Sequence, residues 1–475
     1  MKTNKDTAYW RQQAESYLYD VVGLHEVRQT GILPASGNKF FPVIGYPPLT
    51  MFSSMDESPL FENIVSRNVN PTAGYLHIPF CPTRCTFCHW ITKTKSKAEE
   101  VDVYIDYLIR EMALYAQKMG VSSIPLKSVL WGGGTPTYPD ANQLEKLLKA
   151  YVSYFDLSGC TQFSVEAEPT TLLGDEGMAR LKVLKDYGVD RISLGVQSFD
   201  DDVLRYMARA HDNEQTIAAI KNIRLAGIDN ISIDLIYGYP GQTVDNWINN
   251  LNIAINLDIE GWQLYRLRIR QHGDRPGNII REFEKRPERF SSAEEILQMK
   301  ALGMLMSVKN GYGEHLRRVF GKTADGISHY LRDWTANLYD VVGVGVSSWS
   351  NLRGVFTQNI GDQNLSSYYD LIDAGKVSVN RGKIRTADDE QRRAFLLPLK
   401  NRVVEKSEFR RLTGCDVSQR FGVEMDWLKS LGMIEESASQ IWLTEKGGFF
   451  ADEVATQFFD PAYLPFPEVA RPPGL

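Results

Sequence analysis

No run of about 18 apolar residues occurs anywhere in this 475-residue chain, so no membrane-spanning helix is expected. The opening MKTNKDTAYWRQQAESY lacks the apolar stretch of a secretory signal. Excess positive charge is missing too. Lys and Arg number 53 against 59 Asp and Glu, a net charge of −6, which offers nucleic acid or an anionic membrane no general attraction. Internal repeats and low-complexity segments are absent. Cysteine is scarce, with five in all, which excludes a disulfide framework in a chain of this size. These absences lead to the expectation of a cytoplasmic protein with no nucleic-acid role. What is present, 43% hydrophobic and 24% charged residues, suits a large core with one or two smaller domains attached.

Three of the five cysteines crowd into CPTRCTFCHW, as C-x3-C-x2-C at Cys81, Cys85 and Cys88. Cys160 and Cys415 stand alone and are expected to be small core residues. Structural zinc and tetra-cysteine iron–sulfur sites take four protein ligands. Three thiolates would instead hold three irons of a [4Fe–4S] cluster and leave the fourth iron open to a small molecule. Zinc, with His89 as fourth ligand, is the alternative. Adjacent Cys88 and His89 chelate one ion awkwardly and no second C-x2-C pair exists, so the cluster is favoured and zinc stays open.

Short β-branched or aromatic runs recur at 74–80, 128–131, 162–167, 190–197, 230–238 and 261–269, separated by amphipathic segments. In the first of these segments Val101, Tyr104, Leu108, Met112 and Tyr115 recur at helical spacing. Such alternation predicts parallel βα units with right-handed crossovers. The expected fold is α/β, a partial (βα)6 TIM-like barrel over 71–385 with an accessory segment at 276–340. Residues 1–70 form an N-terminal extension. Residues 386–475, which read as three helices, a short strand and a helix, form a small winged-helix-like domain covering the substrate.

Barrels of this kind do their chemistry at the C-terminal ends of the strands, where the notable residues fall. GGGTPT lets backbone amides approach a ligand where a Cβ would clash. Glu166 projects beside it and could bind hydroxyls or an ammonium. Gln197, Arg209 and Asp234 together match a zwitterionic amino acid, Arg209 to its carboxylate and Asp234 to its ammonium. Period-two alternation in GWQLYRLRIR puts Trp262, Leu264, Arg266, Arg268 and Arg270 on one face. Pointing inward, that face suits a planar anionic small molecule; pointing outward, it is solvated. His89 and Trp90, next to the cysteines, are candidates for substrate contact or proton transfer.

The motifs YLHIPFC (75–81), WGGGTPT (131–137), VEAEP (165–169), RISLGVQSF (191–199), IDLIYGYPGQT (233–243) and VVGVGVSSWS (341–350) closely resemble the oxygen-independent coproporphyrinogen III dehydrogenase-like branch of the radical S-adenosylmethionine (SAM) superfamily. The resemblance implies a [4Fe–4S] cluster on Cys81, Cys85 and Cys88 and two SAM molecules per chain. The first would touch Tyr75, Phe87, Gly133, Glu166 and Trp349. The second would touch Gly134, Thr135, Gln197, Arg209, Asp234 and the backbone near Arg268. It also implies an electron donor such as flavodoxin or ferredoxin, and a monomer is expected. One departure matters: the dehydrogenase carries another cysteine two residues beyond the motif, where this chain has Trp90. The expected function is therefore class C-like methyl or methylene transfer to an sp2 carbon (C-methylation or cyclopropanation) through a SAM methylene radical. The alternatives are anaerobic haem ring-opening methyl transfer, then coproporphyrinogen III dehydrogenase or haem chaperone.

Overall fold

The computed structural model of this chain describes residues 6–33, 42–62, 71–269, 275–401 and 403–464. All six expected runs are strands: β1 Thr72–Ile78, β2 Ser128–Gly133, β3 Phe163–Ala167, β4 Arg191–Gln197, β5 Asn230–Tyr237 and β6 Gly261–Arg266. They pair in parallel and in chain order. Between them run α1 Ala98–Met119, α2 Ala141–Tyr154, α3 Gly174–Asp186, α4 Asp201–Tyr206, α5 Asn213–Leu225 and α6 Val244–Asn256. The predicted apolar stripe of α1 is buried at all five positions. Capping boxes Asp140/Gln143 and Asp212/Gln215 start α2 and α5, satisfying amides that the helices cannot.

Helix α7 Ala293–Lys309 follows, then a hairpin of β7 Gly313–Leu316 and β8 Val319–Gly321, whose second strand pairs antiparallel with β6. The motif VVGVGVSSWS begins in β9 Asp340–Val344, which pairs in parallel with β1 at the opposite edge and makes a seventh parallel strand. An antiparallel meander, β10 Trp349–Leu352, β11 Val355–Asn359 and β12 Val379–Ile384, extends that edge. The α/β partial barrel is thus flanked on both edges within one continuous sheet.

Trp131, Trp247 and Trp262 are fully buried. Trp262 lies between sheet and helices, where its indole donates to Ser307 on α7 (2.9 Å). This corrects the single-face expectation for GWQLYRLRIR. Trp262 and Leu264 face α7, a Cβ on its Gly303 falling 2.5 Å from Leu264, while Gln263 and Tyr265 line the barrel cavity. Arg266 and Arg268 nevertheless reach the cavity, because β6 ends at Arg266 and the alternation ends with it. Arg270 lies outside the described residues.

The C-terminal region contains α8 Ala387–Asn401, β13 Val403–Glu405, α9 Lys406–Thr413, α10 Val417–Ser430, β14 Ile434–Glu436, β15 Gln440–Leu443, α11 Glu445–Phe449 and α12 Ala451–Thr456. The strands form a small sheet of order β13-β15-β14. Two of them were not foreseen, since three-residue strands are too short to show a period. No helix among the described residues is long and apolar enough to cross a membrane.

Candidate functional site

A cavity of about 440 Å3 opens at the C-terminal ends of the strands, and every candidate residue that the structure describes lines it. Alternation explains the selection. Tyr75 and His77 face in from β1, Arg191, Ser193, Gly195 and Gln197 from β4, and Asp234 and Ile236 from β5.

The cysteine loop is pinned by backbone rather than by its thiols. Thr86 N–H donates to the Met207 carbonyl (3.0 Å), and Ile279 N–H donates to the Thr86 carbonyl (2.9 Å). Thr135 donates to Cys81 Sγ at 3.4 Å, Arg209 Nη1 to Cys85 Sγ at 3.1 Å, and Thr92 Oγ1 lies 3.5 Å from Cys88 Sγ. Burial pushes the Cys81 thiol up to about 12 despite Thr135, so its thiolate needs a cation to stabilise it. His89 is 2% exposed and both ring nitrogens are taken by backbone. Nδ1 accepts from Gly277 N–H (3.3 Å) and Nε2 faces the Arg268 carbonyl (3.3 Å). A ring so engaged cannot serve as a zinc ligand without being freed. Among the described residues no three His, Cys, Asp or Glu side chains are placed to hold one metal ion. Thiolates on three separate irons need no such convergence.

Beside the cysteines, Gly133 and Gly134 pack closely against residues 77–80, where only glycine fits. Gly133 has φ +112°, and a Cβ there would fall 2.6 Å from the His77 ring. A Cβ on Gly134 would meet the backbone of Ile78, Pro79 and Phe80 at 2.8–2.9 Å. Trp349 stacks on Tyr75 (centroids 5.4 Å, 2° between planes) and its indole donates to Tyr330 (3.2 Å). Trp90 leans against the same Trp349 at 5.7 Å. Phe87 meets Tyr239 edge-on at 6.3 Å.

Deep in the barrel, burial and the neighbouring Asp234 push Glu166 up to about 8, and burial pushes Asp234 up to about 7 against the pull of Arg191 and Arg209. Burial also lowers Arg191 to about 10. A cationic ligand arriving here would favour the ionised carboxylates. Arg209 differs from expectation in detail. Its Nη1 is on Cys85, its Nη2 donates to the Gly195 carbonyl (2.6 Å), and its buried Nε has no partner among the described residues.

The mouth is strongly cationic. Arg266, Arg268, Arg318 and Lys400 all line the cavity, with Asp452 and Glu453 as the carboxylates that act on them. Lys400 Nζ lies 2.8 Å and Arg318 Nη1 3.6 Å from Asp452. Burial lowers Lys400 to about 8 and, aided by Arg318, Arg268 to about 10. The cations outweigh the effect of burial and hold Asp452 well below the usual carboxylate range.

Arg191, His77, Tyr330, Arg318 and Lys400 were not singled out from the sequence. Arg191 could have been, since it shares the inward face of RISLGVQ with Gln197. Arg318 and Lys400 carry no local signal, because they approach the mouth from distant segments.

A model of the radical SAM superfamily matches residues 75–253. Heme chaperone HemW of Bacillus subtilis (strain 168) is 30% identical over 390 residues, covering 81% of this chain and 98% of that protein. The oxygen-independent coproporphyrinogen III oxidase of Salmonella typhimurium is 27% identical over 434 residues, covering 88% and 92%. Among solved structures, coproporphyrinogen III oxidase (HemN) from Escherichia coli, a radical SAM enzyme, superposes with a TM-score of 0.75 at 25% identity. It covers 87% of this chain and 96% of its own.

Proposed function

Because this chain belongs to the HemN-like branch of the radical SAM superfamily, whose members use a [4Fe–4S] cluster, SAM and an electron donor, we propose that it acts on a carboxylate-bearing tetrapyrrole of the haem class. The names of its relatives, a haem chaperone and a coproporphyrinogen III oxidase, favour this reading over methyl or methylene transfer to an unrelated sp2 carbon. The observation that carries it is the cationic mouth: Arg268, Arg318 and Lys400 meet few carboxylates in a buried setting. Buried cations of this kind call for anionic partners, and propionate-type carboxylates supply them.

The residues fit the implied groups. Three thiols on the wall of one cavity, the Gly133–Gly134 backbone beside them, and a guanidinium on one sulfur form a donor set for a cluster and its ligand. When bound, the cluster and SAM supply a carbon-centred radical that abstracts hydrogen. Gly133 and Gly134 line the cavity wall with backbone, Tyr75 and Trp349 present flat apolar faces, and Glu166 offers a carboxyl that a cationic ligand ionises. Gln197, Arg209, Asp234, Gly134 and Thr135 would hold a second SAM. Arg266 and Arg268 would anchor substrate carboxylates, with Trp90 lining the same cavity beside Trp349.

Arg266→Ala and Arg268→Ala are each expected to weaken tetrapyrrole binding by roughly 1.5–3 kcal/mol, about 10- to 150-fold in KM, with little change in reductive SAM cleavage. Equal losses in both steps would speak against a substrate role.

The reading is tested by anaerobic incubation of reconstituted protein with SAM, a reductant, and either haem or coproporphyrinogen III, followed by mass spectrometry of all products. Tetrapyrrole binding that stimulates release of 5′-deoxyadenosine is expected. Release of S-adenosylhomocysteine in step would restore methyl transfer as the reaction, and neither binding nor stimulation would reject the substrate class.

A further inference from the structure

Arg209 is held by a buried ion network whose other members, Glu168 and His211, have no place in the cluster and SAM contacts described above. Its Nη2 lies 3.8 Å from Glu168 Oε1, and the two side chains are only 10% and 7% exposed. Glu168 Oε1 lies 2.7 Å from His211 Nδ1, while Oε2 accepts from the backbone N–H of Thr170 (2.9 Å) and from its hydroxyl. The other ring nitrogen of His211, Nε2, lies 3.1 Å from the Val196 carbonyl, and the ring is wholly buried.

Those partners fix the protons. The Val196 carbonyl only accepts, so Nε2 carries hydrogen. Glu168 already accepts from two Thr170 donors and faces the Arg209 guanidinium. Placing a proton on its Oε1 would strip that buried cation of its counter-charge, which is costly. His211 thus bridges the Glu168 carboxylate and the Val196 carbonyl through its two ring nitrogens.

The network also shapes the end of β4. Gln197 has φ +67°, in the left-handed region, and Ser198 N–H bonds back to the Val196 carbonyl (2.9 Å) in a tight turn. The pairing of β4 with β5 shifts register at this point. Arg209 takes the Gly195 carbonyl and His211 takes that of Val196. The two side chains thus hold a strained turn that aims Gln197 into the cavity.

We propose that His211 and Glu168 are positioning residues that hold Arg209 as a hydrogen-bond donor to the cluster ligand Cys85 and fix the turn presenting Gln197. This rests on the cluster reading of Cys81, Cys85 and Cys88. A donor on a ligating sulfur stabilises the reduced cluster and raises its potential.

The test uses anaerobically reconstituted full-length protein and reads the cluster potential by spectroelectrochemistry, together with equilibrium SAM binding. His211→Ala and Glu168→Gln should each lower the potential and weaken SAM binding, with iron content unchanged. His211→Gln, which keeps one donor, should fall between His211→Ala and the unmodified protein. In unmodified protein labelled with 15N-histidine, His211 should show a protonated Nε2 bonded to a carbonyl, a measurement that needs no variant to fold. Full iron content with an unmoved potential in both variants overturns the proposal, as does a bare His211 Nε2. Failure of the unmodified chain to take up any cluster would instead overturn the cluster reading.

Discussion

Chains carrying Cys81→Ala, Cys85→Ala or Cys88→Ala, reconstituted anaerobically with iron and sulfide, are expected to lose the visible cluster absorption and all reductive SAM cleavage while melting almost as the parent does. The loss should be complete, because three thiols are the smallest set that can hold a [4Fe–4S] cluster with one iron open to SAM. The fold should survive because the loop is anchored elsewhere. Besides the amides of Thr86 and Ile279, Thr83 Oγ1 donates to the Ala208 carbonyl (2.9 Å) and His89 ties the loop to Arg268 and Gly277. Cys85→Ala should cost somewhat more stability than the other two, since it strands Arg209 Nη1 in a buried site. Iron and sulfide assays, absorption spectra and thermal melts on the three variants check this. A parent chain holding stoichiometric zinc, free of iron and fully active, would overturn it.

Glu111→Ala should be the most destabilising single change outside the site, at roughly 3 kcal/mol or more in urea unfolding. Glu111 is fully buried on α1, with no cation paired to it among the described residues. Its carboxylate gathers five donors from segments far away in sequence. These are Gly345 N–H (2.7 Å), Asn359 Nδ2 (3.2 Å), Tyr368 OH (2.9 Å), Ser378 N–H (3.1 Å) and Ser378 Oγ (2.7 Å). Alanine would leave all five facing a void. Glu111→Gln should lose less, since the amide oxygen still serves one side while its NH2 opposes the donors on the other. The segment after β9 leads directly to Trp349, so both variants should also weaken SAM binding. A loss under about 1 kcal/mol for alanine would mean that water replaces the carboxylate and that the segment does not depend on it.

The six parallel strands and the cysteine loop were legible because each leaves a local mark, an apolar run or a fixed spacing. Glu111 left a fainter one. It falls among Tyr104, Leu108, Met112 and Tyr115, on the stripe that α1 buries, and a carboxylate on that stripe is out of place unless several donors meet it. Other features left none. Lys400 and Asp452 meet across 51 intervening residues, and Arg318 joins them from the β7–β8 hairpin. Nothing in the local pattern of any of the three segments announces the others. The alternation argument for GWQLYRLRIR failed for a related reason: it counted past Arg266, where the strand stops.

The pairing of β1 with β9 bears on how this protein is made. β1 ends at residue 78, yet its outer neighbour begins only at residue 340. While the ribosome works through that interval, the edge of β1 that will meet β9 has no permanent partner, although the opposite edge can already be matched by β2. An apolar strand in that condition is prone to pair with other chains. The cysteines emerge just after β1, so for the same interval the nascent half-barrel leaves their loop accessible from the side that β9 and Trp349 later close. Slow translation past residue 340 would prolong the exposure of both the edge and the loop.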